Sequence, residues 1–273
     1  MIFYFTGTGN SLYVAKQLEQ HPISIAQAIH EKELSFEDET IGIVAPIYGH
    51  EMPGIVKDFI KRSSLKTDYL YLVLTYGNRH GGAAELACDF CKEYGILPSY
   101  INIILMVDNW LPGFDMDQQQ LIDKKVDENI SLIYEAIKNR ENMIPDVTVA
   151  DRAAHEQFLE RMKKLPEDAW QHLYHVTGAC IGCGLCKNVC PADCITVVEG
   201  KAIHSPGKCQ TCMACIHACP TKAIQLNIPE KNPNARYRNE HIKLNEIIEA
   251  NNQHSSLETI LNRTKAFGDG LPT

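Results

Sequence analysis

The sequence predicts an α/β protein: a doubly wound parallel five-stranded sheet over about the first half of the chain, joined to a small α+β domain built around cysteines. Three observations carry this. Short apolar runs alternate with stretches of helical spacing as far as residue 140. The first run breaks into a glycine-rich turn that opens a helix. A four-cysteine pattern near residue 180 recurs 29 residues later, with no such pattern elsewhere.

In chain order, Ile2 to Thr6 is the first strand, followed by helical spacing at Leu12, Val14, Ala15 and Leu18. A second strand lies near Ile23 to Ile25. Residues 41 to 47 read as a buried parallel strand, with a helix from about Pro53 to Lys61; 69 to 74 repeat the pattern, with a helix to about Tyr94; 101 to 107 form the last strand. Residues 108 to 117 read as a loop whose exposed aromatics are placed to cover a bound group. One helix is expected from Asp117 to Asn139, a linker from Met143 to Val149, and a helix from Ala150 to Lys164. The domains are then 1–142, a connecting segment 143–177, a cysteine domain 178–226, and a helical tail 227–273 that packs back across both.

In a parallel sheet ligands bind at the carboxyl ends of the strands, and three of those ends carry suggestive loops. In Thr6-Gly7-Thr8-Gly9-Asn10-Ser11 the glycines let the backbone wrap an anion, the hydroxyls can donate to it, and the helix N-terminus favours its charge. Leu12 stands where a dinucleotide fingerprint needs a third glycine, which disfavours a dinucleotide. The other two loops are Pro46-Ile47-Tyr48-Gly49 and Thr75-Tyr76-Gly77-Asn78-Arg79-His80-Gly81-Gly82. His80 is a proton donor or a solvated loop residue. Cys88 and Cys91 lie on one face of a helix and read as core rather than redox residues.

Cys180, Cys183, Cys186 and Cys190, then Cys209, Cys212, Cys215 and Cys219, each form C-x2-C-x2-C-x3-C followed by proline. Three thiolates in one loop can hold three irons of a cubane, and the fourth, redirected by the proline, crosses to the other cluster. This rule assigns Cys180, Cys183, Cys186 and Cys219 to one 4Fe-4S cluster, and Cys209, Cys212, Cys215 and Cys190 to the second. Zinc sites have no use for a third cysteine at this spacing, which sets aside zinc; disulfides are set aside with it. Cys194 aligns with Ala223 in the repeat and reads as a small buried residue, not a ligand. Gly182 and Gly184 leave room for a cluster and for backbone N–H groups facing sulfur, and residues 195 to 203 read as a hairpin.

Of 273 residues 45% are hydrophobic, enough for two cores. Eleven cysteines without a signal-peptide pattern imply a reducing, cytoplasmic setting. No apolar run approaches the roughly 18 residues of a membrane span. The net charge of −8 disfavours nucleic acid as a partner. That acidity lies in residues 1 to 145, with 12 Lys plus Arg against 20 Asp plus Glu, while Lys187, Lys201, Lys208 and Lys222 make the cysteine segment mildly basic. The asymmetry suggests electrostatic docking of one module on the other.

The first half resembles flavodoxins through its T-G-T-G-N-S loop and the two later loops; residues 178 to 226 resemble bacterial two-cluster 4Fe-4S ferredoxins. The whole chain is similar to fused flavodoxin–ferredoxin proteins, which share the P-x-Y-G loop and an R-Y-R-N segment, here Arg236 to Asn239. The resemblance implies FMN, with phosphate in the first loop and the ring between loops bearing Tyr48 and Tyr76, where Gly77, Gly81 and Gly82 admit its pyrimidine edge. It implies electron transfer between two 4Fe-4S clusters and FMN, with protein donor and acceptor as partners. The alternatives are an FMN-dependent reductase of a small molecule such as a quinone, and an iron–sulfur redox sensor or assembly factor.

Overall fold

The computed structural model describes residues 1–253; the end of the expected tail, from 254 on, lies outside the described residues. The first half contains strands β1 (Ile2–Tyr4), β2 (Ile23–Ser24), β3 (Leu34–Glu37), β4 (Thr40–Pro46), β5 (Ser63–Lys66), β6 (Tyr69–Tyr76) and β7 (Tyr100–Leu105). Five of them form one parallel sheet in the order β2-β1-β4-β6-β7. Renumbered within the sheet, this is 2-1-3-4-5, the flavodoxin-like order, whose switch point lies between the first and third sheet strands. Both faces of β4 and β6 are covered, which is why Ile41 to Ala45 and Tyr69 to Leu74 are near-continuous apolar runs. The parallel pair β3 and β5 stands apart as a small ribbon that the apolar pattern did not announce.

Helices α1 (Asn10–Leu18), α2 (Ile25–Ala28), α3 (Gly54–Arg62) and α4 (Ala83–Glu93) connect these strands. The single helix expected over 117–139 is two, α5 (Met116–Gln120) and α6 (Val126–Lys138). Between them Lys125 takes φ 54, and Leu121 and Ile122 are exposed, so the apolar spacing ran through a turn that buries neither side chain. Met143 is bonded to the sheet edge: its N–H donates to Ser99 O at 3.1 Å and its carbonyl accepts from Ile101 N–H at 2.8 Å.

Helix α7 (Val149–Met162) starts at a capping box between Thr148 and Asp151, yet none of its residues is fully buried. The cysteine-bearing part follows: β8 (Tyr174–Val176), α8 (Leu185–Asn188), β9 (Ile195–Val198), β10 (Lys201–His204), α9 (Ala214–Ala218) and β11 (Ile224–Leu226). β9 and β10 form the expected hairpin, turning through Glu199 (φ 49) and Gly200 (φ 75), the left-handed pair of a type I′ turn. β8 pairs with β11, so this domain begins before residue 178.

The two parts share a core. Val189, Cys212, Ala214 and Ile242 pack into the same apolar cluster as the main sheet, whereas Leu111 and Met116 of the first half are buried among cysteine-domain residues. The 108–117 segment is therefore an arm inserted into the second domain, not a flap of exposed aromatics. The tail helix α10 (Leu244–Ala250) ties both: Ser24 Oγ donates to Ala250 O, and Asn251 Nδ2 donates to Val189 O at 2.9 Å. Among the described residues, the lysines of the cysteine segment make no ion pair with the acidic first half. The modules are joined by packing and neutral hydrogen bonds rather than by their charge difference. No helix among the described residues is long and apolar enough to cross a membrane.

Candidate functional site

The repeat has the same backbone twice. Gly182 (φ 67), Gly184 (φ 78) and Asp193 (φ 50) take left-handed conformations, and so do Thr211 (φ 53), Met213 (φ 63) and Lys222 (φ 53), each 29 residues later. This brings backbone N–H groups onto sulfur. Cys194 N–H lies 3.2 Å from Cys190 Sγ and Ala223 N–H 3.1 Å from Cys219 Sγ; Ala202 N–H and Thr211 N–H reach Cys180 Sγ and Cys209 Sγ at 3.4 Å. Donors of this kind stabilise thiolate charge.

Two cavities result. Cys180, Cys183, Cys186 and Cys219 wall one, of about 320 Å³ with its mouth; Cys190, Cys209, Cys212 and Cys215 wall the other, of about 290 Å³. Two cavities of similar size, each with four sulfurs drawn from both halves of the repeat, suit the same group bound twice. Among the described residues no three of His, Cys, Asp and Glu stand close enough to share a single metal ion. Four thiolates spread around a cavity of this size are the donor set of an iron–sulfur cluster. Cys194 is buried and lines neither cavity, but its thiol lies against Cys190 and Cys209 of the inner set and 3.4 Å from Ala192 O. Cys88 and Cys91 are buried in the main core, and burial pushes the Cys91 thiol up to about 12, which leaves it unreactive.

Glycine at 182 has a different cause from the one expected. A Cβ there would lie 2.4 Å from the Gly200 carbonyl of the hairpin turn, whereas at Gly184 it would meet nothing within 4 Å.

The second set of sulfurs lies against the first domain. A Cβ on Gly7 would sit 2.5 Å from Cys212 O and 3.1 Å from Tyr48 Oη, and Ile55 N–H donates to Gln210 Oε1 at 2.9 Å. Asn109 Nδ2 bridges the two modules, donating to Thr8 Oγ1 at 3.1 Å and to Cys212 O at 3.2 Å. His217, between two cysteine positions on α9, donates from Nε2 to Asn109 O at 2.9 Å and accepts Tyr237 N–H at Nδ1 at 3.0 Å. Desolvation lowers its pKa to about 4, so it stays neutral and holds this tautomer. Tyr237 Oη donates to Asn10 Oδ1 at 2.5 Å, and Asn239 N–H to Thr8 O at 2.9 Å. The R-Y-R-N segment thus clamps the glycine loop.

Thr6, Gly7, Thr8, Gly9 and Ser11 are buried, with Asn10 half-buried beside them. Of the N–H groups from Gly7 to Ser11, only that of Gly9 meets an acceptor among the described residues, Thr6 Oγ1 at 3.1 Å. Thr6 and Thr8 hydroxyls both act as acceptors, and Ser11 and Thr75 hydroxyls share one bond at 2.9 Å. Each of the two threonines keeps an O–H proton to give, and one more remains on the Ser11–Thr75 pair. Buried donors without acceptors at an uncapped helix start fit a phosphate.

The other two loops are brought to the same edge but are partly packed by the chain itself. Pro46 and Thr75 form the last pair of the β4–β6 ladder; Tyr48 turns toward the cysteine domain, and Tyr76 lies edge-on to His80 at 5.4 Å. Asn78 is exposed. The Cβ positions of Gly49, Gly77, Gly81 and Gly82 are met within 3.0 Å by Phe158, Asp108, His50 and Val147, so close packing also requires glycine at these positions. Sequence reasoning named His80 here but missed His50 and His155. Among the described residues the Nδ1 atoms of His50, His80 and His155 are buried without partners, His50 at φ 73 and its ring 5.7 Å from that of His155. Such orphaned atoms fit the polar edge of a bound ring.

Comparison with known proteins agrees with the cysteine geometry. Residues 172–239 match the 4Fe-4S dicluster domain family. The match starts ahead of β8 and ends at Asn239, so the dicluster domain includes the β8–β11 pair and the buried Arg236–Glu230 ion pair at 2.9 Å. It is an iron–sulfur domain. No curated protein matches the chain. Among solved structures, a "Putative flavoprotein from Bacteroides uniformis ATCC 8492" is 18% identical over 44% of this chain and 94% of its own, with TM-score 0.32. The Trp repressor binding protein from Bacillus subtilis is 11% identical over 52% of this chain and all of its own, with TM-score 0.31. The flavodoxin-like assignment rests on strand order, to which similarities of this size add nothing.

Proposed function

We propose that the protein is an electron-transfer protein with two 4Fe-4S clusters and FMN, the clusters held by Cys180, Cys183, Cys186 and Cys219 and by Cys209, Cys212, Cys215 and Cys190. When bound, the clusters carry single electrons and FMN takes one or two. The observation that carries the reading is the contact of the second cysteine set with the glycine loop, through Cys212 on Gly7 and the Asn109 bridge. Thr6, Thr8, Ser11 and the loop N–H groups would hold the phosphate; Tyr48 and Tyr76 with the loops 46–49 and 75–82 would line the ring. His217 and Tyr237 fix the distance between modules. The dicluster domain buries Cys212 and Cys215 and so keeps water from the inner set. The domain limits 1–142, 143–177, 178–226 and 227–273 form part of this proposal, with the second domain widened to the family match.

The test is Cys190→Ala. With a ferredoxin-level donor this variant is expected to reduce its flavin much more slowly than the intact protein, while direct chemical reduction of the flavin is unchanged. Equal donor-driven rates would remove the inner set from the route. The orphaned histidines favour a second reading, direct reduction of a small acceptor such as a quinone at the loops after β4 and β6. Rapid turnover of a quinone by flavin-loaded protein, lost in His50→Asn, would favour it.

A further inference from the structure

The two cysteine sets differ in what covers them. The inner set is roofed by Gly7, Tyr48 and Ile55 of the first domain. The outer set is open: Cys183 is exposed, and Ile181 beside it is 66% exposed. The hairpin β9–β10 extends this surface. Lys201 faces Val198 and Ile203 faces Thr196 in register, so these four share the face opposite to Ala202 and Ile195, which point inward. Val198 is 49% and Ile203 47% exposed. The turn carbonyl at Gly200 lies against Gly182, so the hairpin packs on the cysteine loop that carries Ile181.

Lys201 shares the hairpin face with Val198 and Ile203, and Lys187 and Lys222 are each adjacent in the chain to a residue lining the outer cavity. None makes an ion pair among the described residues. Glu199 sits at the turn of the hairpin, and Asp193 follows Pro191 and Ala192 of the inner wall. Three unpaired ammonium groups round an apolar centre over an open redox site are the complement of an acidic surface. The charge difference between modules, unused in their own docking, is therefore available to a partner.

We propose that the face formed by Ile181, Val198, Ile203 and the three lysines is the docking surface for an acidic protein that carries single electrons. The inference rests on the electron-transfer reading and names the partner surface for its outer cysteine set. In the step one electron leaves the carrier, which is oxidised, and arrives at the group held by Cys180, Cys183, Cys186 and Cys219; no bond or proton moves.

The experiment compares reconstituted protein with its K187E/K201E/K222E variant, using a reduced acidic two-cluster ferredoxin as probe. Two readouts are taken: the Kd for the oxidised probe, and the second-order rate of reduction against ionic strength. The wild type is expected to bind and react more weakly as salt rises. The variant is expected to lose at least about tenfold in both, in the range of electrostatic steering, with unchanged iron content and unchanged reduction by dithionite. Equal Kd and rate in the two proteins, or a salt-independent wild-type rate, overturns the docking surface. So does concentration-dependent dimerisation abolished by Ile203→Ser, which assigns the face to a second copy. If the wild type holds its iron yet accepts no electron from any donor, the electron-transfer reading itself fails, a result distinct from the others.

Discussion

Gly182 and Gly184 flank Cys183 and have nearly the same backbone, with φ 67 and 78, but only one of them is crowded. Alanine at either position takes on the cost of a left-handed conformation, about 1–2 kcal/mol. The repeat shows this cost is tolerable, because Thr211 and Met213 adopt the same conformation at the equivalent positions. Gly182→Ala adds a Cβ at 2.4 Å from the Gly200 carbonyl, a backbone atom that cannot rotate away. Overpacking of that kind costs roughly 1–3 kcal/mol more, and 1.4 kcal/mol is tenfold in an equilibrium constant, so the outer loop should be held in its binding geometry about 5- to 150-fold less well. Anaerobic reconstitution at limiting iron, followed by iron analysis and chelator challenge, measures this. Gly184→Ala is expected to lose iron modestly sooner than the wild type, by its left-handed cost alone, and Gly182→Ala to lose that of the outer set to chelator much sooner still. Equal retention by the two variants would refute the assignment of Gly182 to hairpin packing.

Cys219→Ala should remove the iron bound with Cys180, Cys183 and Cys186, and Cys194→Ala should remove none, as read by iron analysis; iron loss from the second variant would make Cys194 a ligand. Asn109→Ala deletes both bridging hydrogen bonds and should destabilise the docked modules by about 1–3 kcal/mol, seen as earlier unfolding in urea and faster proteolysis of the 108–117 arm. Burial, and then the nearby His155, His80, Arg79 and Arg161, lower the pKa of His50. With α7 in place His50 therefore binds fewer protons than when α7 is lifted. The seating of α7 is fully stable above the ordinary histidine value of about 6.5 and weakens as pH falls toward the lowered one. Cleavage within 149–162 should then rise between pH 7 and 5, and less so in His50→Asn, which keeps the left-handed backbone; a pH-independent cleavage rate would count against this. Asp151, facing His80 at 3.9 Å, is the one acid in the group and opposes the effect.

The parallel sheet was legible because β4 and β6 are buried on both faces, which forces apolar runs that little else in a sequence imitates. Both cavity walls were legible from spacing, since three cysteines at x2 intervals leave few ways to fold. The break at Leu121 to Lys125 was hidden because its apolar residues keep helical spacing while facing solvent. The loop 108–117 was misread for a related reason: Leu111 and Met116 are buried by a second domain, and no local pattern names the surface that covers a residue. His217 left a signal that comparison of the repeats could have found, since its equivalent, Asn188, is exposed while His217 bonds both modules. The grouping of His80 with His50 and His155 left none, because the three are far apart in the chain and meet only through the fold.

The central claim is that this chain binds two 4Fe-4S clusters through cysteines exchanged between the halves of the repeat. The most direct measurement is iron and acid-labile sulfide per chain in anaerobically prepared protein, taken with the electron paramagnetic resonance spectrum of the dithionite-reduced form, for the wild type and for Cys219→Ala. The account predicts about eight irons and eight sulfides in the wild type, from two four-iron cubanes, with a spectrum broadened by interaction between two reduced clusters. In the variant it predicts about four of each and the simple spectrum of one cluster. Tightly bound zinc in place of iron, or a Cys219→Ala protein that keeps the outer cluster and loses the inner one, would contradict it.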